Sequence, residues 1–329
     1  MDLREYQTRA RATGQQPRGG PHDAIAPMLG LAAETGSILD IYKKYLRDRI
    51  DLEANREFLR EELGDLLWYT AAVATACGLD LEDVAAANLR RTSDLYPATS
   101  AEDRLTEVPV LDAGFPEHER FPRRLVVEFT ERRDLAGRLV VAQTLVLAEP
   151  NAFPDGALSG DRPRGYTVGG PIGDPLTDNT RGADAYRFHD ALHLGFLAVL
   201  GWSPNLRALL RVKRKSDPVA DECEDGARAI FTEEGLAAVL SRLAHRRLGF
   251  LTEAAVTSEI VDVAQAATTD LEVNVMPGWL WRRAISAGFQ AMHHLAANGG
   301  GFLTADLDAR TLNYAKYLSE RPPASAIRA

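Results

Sequence analysis

The chain has 329 residues, enough for two domains or one large one, and its 26% charged and 45% hydrophobic side chains are an ordinary balance for a folded globular protein. A formal net charge of −9 argues against a broad basic surface tracking nucleic-acid backbone, and no apolar run approaches the roughly 18 residues that a bilayer span needs. The start MDLREYQTRARATG lacks the apolar segment of a secretory signal, and Cys77 and Cys223 both fall in helical patterns, which suits packing rather than a disulfide framework or a thiolate metal site; a cytoplasmic protein is expected.

Four helices are expected in the first part. Leu3 to Ala12 is short and amphipathic, and Gly19-Gly20-Pro21 breaks the chain after it. Asp23 offers an N-cap for a second helix that includes Met28 to Asp48 (MLGLAAETGSILDIYKKYLRD) and places Glu34 in a mostly apolar first half. A third runs from about Leu52 to Cys77, where Gly78 can take the left-handed geometry that ends helices. Within it, Phe58 to Trp68 (FLREELGDLLW) sets Glu62 and Asp65 one turn apart on one face, beside an apolar stripe of Leu59, Leu63, Leu66, Thr70 and Val73 that is expected to be buried. Asp80 caps the fourth helix, Leu81 to Leu95, and Pro97 stops it. Four helices of this size form a small core, so pairing with a second copy, at least a homodimer, or with the rest of the chain is expected.

Glu34, Glu62 and Asp65 can converge between two packed helices, a pattern that suits a divalent metal. The residues around them resemble the MazG-type, all-α nucleoside triphosphate pyrophosphohydrolases, which carry E-x-x-E on one helix and E-x-x-D on the next. Leu3, Tyr6-Gln7, Gly30-Leu31, Trp68-Tyr69 and Asn88 share in the likeness, which covers roughly residues 1–98. Ser37 departs from it, standing where the second glutamate of the first pair is usual. The resemblance implies hydrolysis of a nucleoside triphosphate to monophosphate and pyrophosphate with Mg2+ or Mn2+. Glu34, Glu62 and Asp65 would be the ligands, and Glu61 a spare carboxylate that orients or deprotonates water. Lys44, Arg47 and Arg91 are candidate phosphate binders, and Asn88 a candidate for sugar or phosphate. The basic clusters at 43–47 and 211–215 otherwise read as solvated helix faces. Two rival functions stay open: a nucleotide sensor with weak or no turnover, and a hydrolase whose main site lies in the second part.

Residues 99–122 read as a linker, with scattered charge and Pro109, Pro116 and Pro122. A larger, mostly helical domain is expected over 123–329, beginning with a β-hairpin from Arg124 to Glu131 and Arg138 to Leu147. The Gly-, Pro- and Asp-rich stretch from Asn151 to Thr180 reads as a functional loop. The text YRFHDALHL, LGWSP, KRKSDP and DECEDGARAIFTEEG resembles the domain that follows the MazG-type domain in some of these proteins, a likeness that carries no known chemistry.

His189 and His193, four apart, can reach one point above a helix, with Glu233 or Glu234 as a third metal ligand; histidines bonded to backbone carbonyls are the alternative. His189-Asp190 also resembles HD-type phosphohydrolases, with His118 as an upstream partner. Glu259 and Asp262 after Glu234 echo Glu62 and Asp65 after Glu34, as a diverged internal copy would.

Overall fold

The computed structural model describes residues 1–14, 23–49, 53–97, 104–149, 158–159, 162–163, 165–246 and 248–318. The chain is mainly helical and divides into two compact units, Met1–Ser93 and Asp94–Ala329.

The first unit is built from α1 (Leu3–Thr13), α2 (Ile25–Asp48), α3 (Arg56–Ala76) and α4 (Leu81–Leu95), the division falling in the last turn of α4. Asp80 caps α4 by accepting from the backbone N–H groups of Glu82 at 2.9 Å and Asp83 at 3.2 Å. Gln7 joins three elements: its amide donates to Thr75 Oγ1 at 3.1 Å and to the Leu79 carbonyl at 2.9 Å, while its oxygen accepts from Leu81 N at 2.8 Å. Asp23, expected as the cap of α2, does not fill that place; Ala24 is the N-cap and makes no side-chain bond. A single turn at Glu53–Asn55 precedes α3, which therefore begins later than Leu52.

Close approach sets how α2 meets α3. A Cβ on Gly30 would fall 2.2 Å from the Tyr69 ring, so the absence of a side chain is what lets that ring lie against α2. The buried residues of α3 are Glu62, Ala71 and Ala74, with Glu62 on the opposite side of the helix from Ala71, and Leu63 is 57% exposed rather than on a buried stripe. The unit's core is correspondingly slight: Ala10, Ala71, Ala74 and Leu81, with Leu3, Tyr6 and Trp68 against it. Met28, Leu29, Leu39, Leu46, Leu63 and Leu89 are exposed.

The second unit contains an antiparallel sheet in the order β2-β1-β5-β6, from β1 (Arg124–Arg133), β2 (Leu139–Glu149), β5 (Gly300–Asp306) and β6 (Thr311–Ala315); β3 (Leu158–Ser159) and β4 (Arg162–Pro163) pair separately. The expected hairpin is present as β1 and β2, with a bulge between Val126 and Val127. The second pair escaped the sequence reading because Gly300 and Gly301 open β5 at φ 125° and 139°, a breaker signal in any strand pattern. Residues 169–176 run along the free edge of β2, where Val141 and Leu176 exchange backbone hydrogen bonds of 2.9 and 2.8 Å.

Among the described residues of this unit stand five further α-helices, α5 (Asp190–Leu200), α6 (Pro204–Leu209), α7 (Ala227–Arg246), α8 (Ser258–Ala267) and α9 (Gly278–Asn298). Every residue of α5 is buried, and it crosses α9 at backbone distance, since a Cβ on Gly195 would lie 2.9 Å from the Ala284 carbonyl oxygen.

The stretch expected to be a linker is instead packed into this unit over its described part. Val108, Asp112, Glu119 and Phe121 are buried. Asp112 accepts from Phe121 N at 2.9 Å and from Arg207 Nη2 at 3.1 Å, so its charge has a distant partner that local sequence does not reveal. The basic run at 211–215 is likewise no solvated face throughout: Arg214 is buried against Asp225 and Glu272, with bonds of 2.7 Å from Nη2 to each. Both cysteines are free and exposed rather than packed.

Candidate functional sites

In the first unit, α3 presents Glu61, Glu62 and Asp65, and α2 presents Glu34. Glu62 is 8% exposed, Glu34 half-buried, and Glu61 and Asp65 exposed. Burial pushes the Glu62 carboxyl above the usual carboxylate range, and its hydrogen bond to Glu34 and the charges of Glu34, Asp65 and Glu61 push in the same direction. Glu62 Oε2 is buried with no hydrogen-bond partner. A buried carboxylate oxygen without a donor, facing another carboxylate, suits a divalent cation better than it suits a structural role. Asp65 stands one turn beyond and does not close with Glu34 and Glu62 to the spacing of a compact three-ligand cluster.

The candidate phosphate binders on α2 lie further along that helix than Glu34. Lys44 is ten residues beyond Glu34 on α2, about 15 Å along the axis, and is paired with Asp40 at 2.8 Å. Hydrogen bonds from Lys43 and Lys44 hold the Asp40 carboxyl down at about 2. Arg47 is paired with Asp48 at 2.6 Å. Asn88 and Arg91 are exposed on α4. Ser37 is half-buried one turn after Glu34, on the same face. Beside these elements a pocket of about 290 Å3 is lined by Ala10, Arg11, Pro27, Trp68, Tyr69 and Thr75 among others. Trp68 is fixed there by donating from Nε1 to Thr13 Oγ1 at 2.8 Å.

The second unit brings His189, Asp190 and His193 together at the start of α5, with their ligand atoms all within 4.8 Å of one another. His189 Nδ1 donates to the Tyr186 carbonyl at 2.9 Å, and the two rings stack at 4.3 Å. His193 Nδ1 bonds Glu233 Oε1 at 2.8 Å. Glu233 is fully buried on α7 and also accepts from Ser203 Oγ at 2.7 Å and from Asn205 N at 2.8 Å. Glu233 is therefore the partner behind His193 and not a third ligand beside the two Nε2 atoms, which corrects one of the sequence alternatives. Glu234 faces the Nε2 atoms, at 3.6 Å from each histidine. Burial works to raise the Glu234 carboxyl, but its interactions with the His189 and His193 rings outweigh it and hold the group below the ordinary range.

Asn205 and Gln143 were not singled out in the sequence, and Asp190 only through the likeness of His189-Asp190 to HD-type phosphohydrolases. Gln143 reaches from β2 to donate to Asp190 Oδ2, and Asn205 donates to Glu234 Oε1. The one available signal was Ser203-Pro204-Asn205, a cap and first turn that sets Asn205 N–H toward Glu233. His118 does not join this group; it is partly exposed beside Glu119. Glu259 and Asp262 are exposed on α8, unlike buried Glu62.

Two family models match the chain: the MazG nucleotide pyrophosphohydrolase domain over residues 26–98, and the MazG C-terminal domain over residues 159–318. The Gene 37 protein of Mycobacterium phage L5 is 36% identical over 97 residues, 28% of this chain and 85% of that protein. No solved structure matches. Among the described residues, no helix is long and apolar enough to cross a membrane.

Proposed function

This chain belongs to the MazG nucleotide pyrophosphohydrolase family, a hydrolase acting on nucleoside triphosphates, and we propose that Glu34 and Glu62, with Asp65, hold the divalent cation, Mg2+ or Mn2+, on which release of pyrophosphate depends. The observation that carries this reading is the buried Glu62 carboxyl, set against Glu34 with one oxygen left without a donor. An all-oxygen set of carboxylates suits magnesium, which keeps several waters and completes its shell with substrate phosphate. When bound, such a cation neutralises phosphate oxygens and activates water.

The residues themselves divide the remaining work. Glu61, exposed beside Glu62, is free of the buried pair and is the candidate to orient or deprotonate the attacking water. Lys44, Arg47, Asn88 and Arg91 are exposed and available to phosphate or sugar, the first two on exchanging their carboxylate partners. A second reading, a nucleotide sensor with slow turnover, draws on Ser37, which removes one full charge from the usual set of four acids.

A panel of ribo- and deoxyribonucleoside triphosphates, incubated with Mg2+ or Mn2+ and scored for monophosphate and pyrophosphate, separates these readings. Pyrophosphate from at least one nucleotide is expected. Binding without turnover would favour the sensor, and orthophosphate alone would refute pyrophosphate release.

The first unit is also proposed to pair with a second copy. Its own core is four small or medium residues, while Leu29, Leu39, Leu46 and Leu63 stand exposed on α2 and α3. Light scattering at micromolar concentration should give at least a dimer mass, and a monomer would contradict the pairing.

A further inference from the structure

The geometry points to a transition-metal site in the second unit, with His189 Nε2, His193 Nε2 and the carboxylates of Asp190 and Glu234 as ligands. The Tyr186 carbonyl can only accept, so His189 carries its proton on Nδ1. Glu233 receives Ser203 Oγ–H, Asn205 N–H and His193 Nδ1, which puts the proton of His193 on Nδ1 as well. Both neutral rings thus turn an Nε2 lone pair toward the same space. Facing those lone pairs are Asp190 Oδ1, 3.4 Å from His189 Nε2 and 4.0 Å from His193 Nε2, and Glu234, 3.6 Å from each.

The Asn205 Nδ2 amide stands 3.4 Å from His193 Nε2 but no such donor meets His189 Nε2 among the described residues, and lone pairs facing carboxylates repel unless something positive lies between them. A second proton on each ring is one answer, but charge-assisted N–H···O bonds close to about 2.7–2.9 Å, and none of these four separations does so. A metal is the other. With ligands about 2.1 Å from the ion, neighbouring donors of a tetrahedron stand about 3.4 Å apart, close to three of the four separations, 3.4, 3.6 and 3.6 Å, with the fourth at 4.0 Å.

The supporting shell is complete in the manner of metal sites. Each ligand has its own outer partner: Tyr186 carbonyl for His189, Glu233 for His193, Gln143 for Asp190 and Asn205 for Glu234. Three of the ligands are buried, while the Glu234 side chain is 40% exposed, so the site has an open side. Two imidazoles with two carboxylates suit zinc, manganese or ferrous iron rather than magnesium. Glu234, the one ligand with an exposed side, is the one that water or a substrate oxygen would displace from such an ion. All four ligands belong to the second unit, none to the acids of the first.

The test uses the full chain without a histidine tag, stripped with chelator and then equilibrated with Zn2+, Mn2+ or Co2+. Wild type is expected to retain about one equivalent more metal than the His189→Ala/His193→Ala variant, and to give a visible cobalt band that the variant lacks. Because the double variant could fail to fold, Glu234→Gln at the open side provides the second measure, with metal affinity expected to fall about tenfold or more. Equal affinity in wild type and Glu234→Gln, or a wild type that shows no cobalt band, would overturn the assignment.

Discussion

Glu62→Gln is expected to lower pyrophosphate release by about a hundredfold or more while leaving the metal-free protein at least as stable as wild type. The two halves of this expectation have one cause. In the folded chain Glu62 is buried against Glu34, and one of its oxygens has no donor. Its charge therefore works against the fold until a cation arrives. Glutamine keeps the shape, adds two N–H donors, and removes the like-charge contact, so folding has nothing to lose. Function loses a ligand. Thermal melts with and without Mg2+ check the first half: wild type should gain stability as the cation is raised, because a ligand that binds the folded state stabilises it, and the variant should gain little. A variant that turns over at the wild-type rate would move the reaction away from α3. A variant that melts well below wild type without metal would make Glu62 a structural residue.

How much of this was legible in the sequence depended on the range of the interactions. The helices of the first unit and the Asp80 cap follow from local spacing and short-range chemistry, and that spacing puts the acids on α2 and α3, although Asp65 does not close on Glu34 and Glu62. The buried side of α3 was misread because periodicity weights leucine, while the actual contact is made by Ala71 and Ala74, with Gly30 and Tyr69 closing the α2 side. In the second unit the errors are long-range. Asp112 and Glu119 look like surface acids between prolines, yet Arg207, 95 residues beyond Asp112, buries Asp112 as its partner and donates to the Glu119 carbonyl. Arg214 looks like one more member of a basic run, although its partner Glu272 lies 58 residues away. The histidine pair was legible through its spacing of four. Its ligands Asp190 and Glu234 and its partner Glu233 were not sorted, because adjacent residues on a helix point in different directions and only packing decides which faces the site.

Asp225→Ala should be the most damaging single substitution in the second unit, costing about 3–5 kcal/mol, the range for leaving a buried charge without its partner. Asp225 is fully buried and accepts from Arg214 N at 2.7 Å and from Arg214 Nη2 at 2.7 Å, with Arg207 Nε at 3.6 Å. Both arginines are themselves buried, and burial together with Arg214 already pushes the Arg207 guanidinium below its usual range. Alanine would leave them facing each other with Asp112 and Glu272 alone to balance them. At about 2–4 °C per kcal/mol for a unit this large, the melting temperature should fall by roughly 10 °C. A loss below about 1 kcal/mol is what a solvated surface pair would give, and would mean that water reaches these charges. The consequence extends to the histidine site. Arg207 sits on α6 two residues after Asn205, and Asp225 comes just before α7, which carries Glu233 and Glu234. The network thus anchors the two elements that hold Glu233 against His193, so the surviving folded Asp225→Ala protein should also bind Zn2+ or Mn2+ more weakly than wild type, measured below its melting temperature. Unchanged metal affinity in that fraction would show that α6 and α7 keep their register without the buried charges.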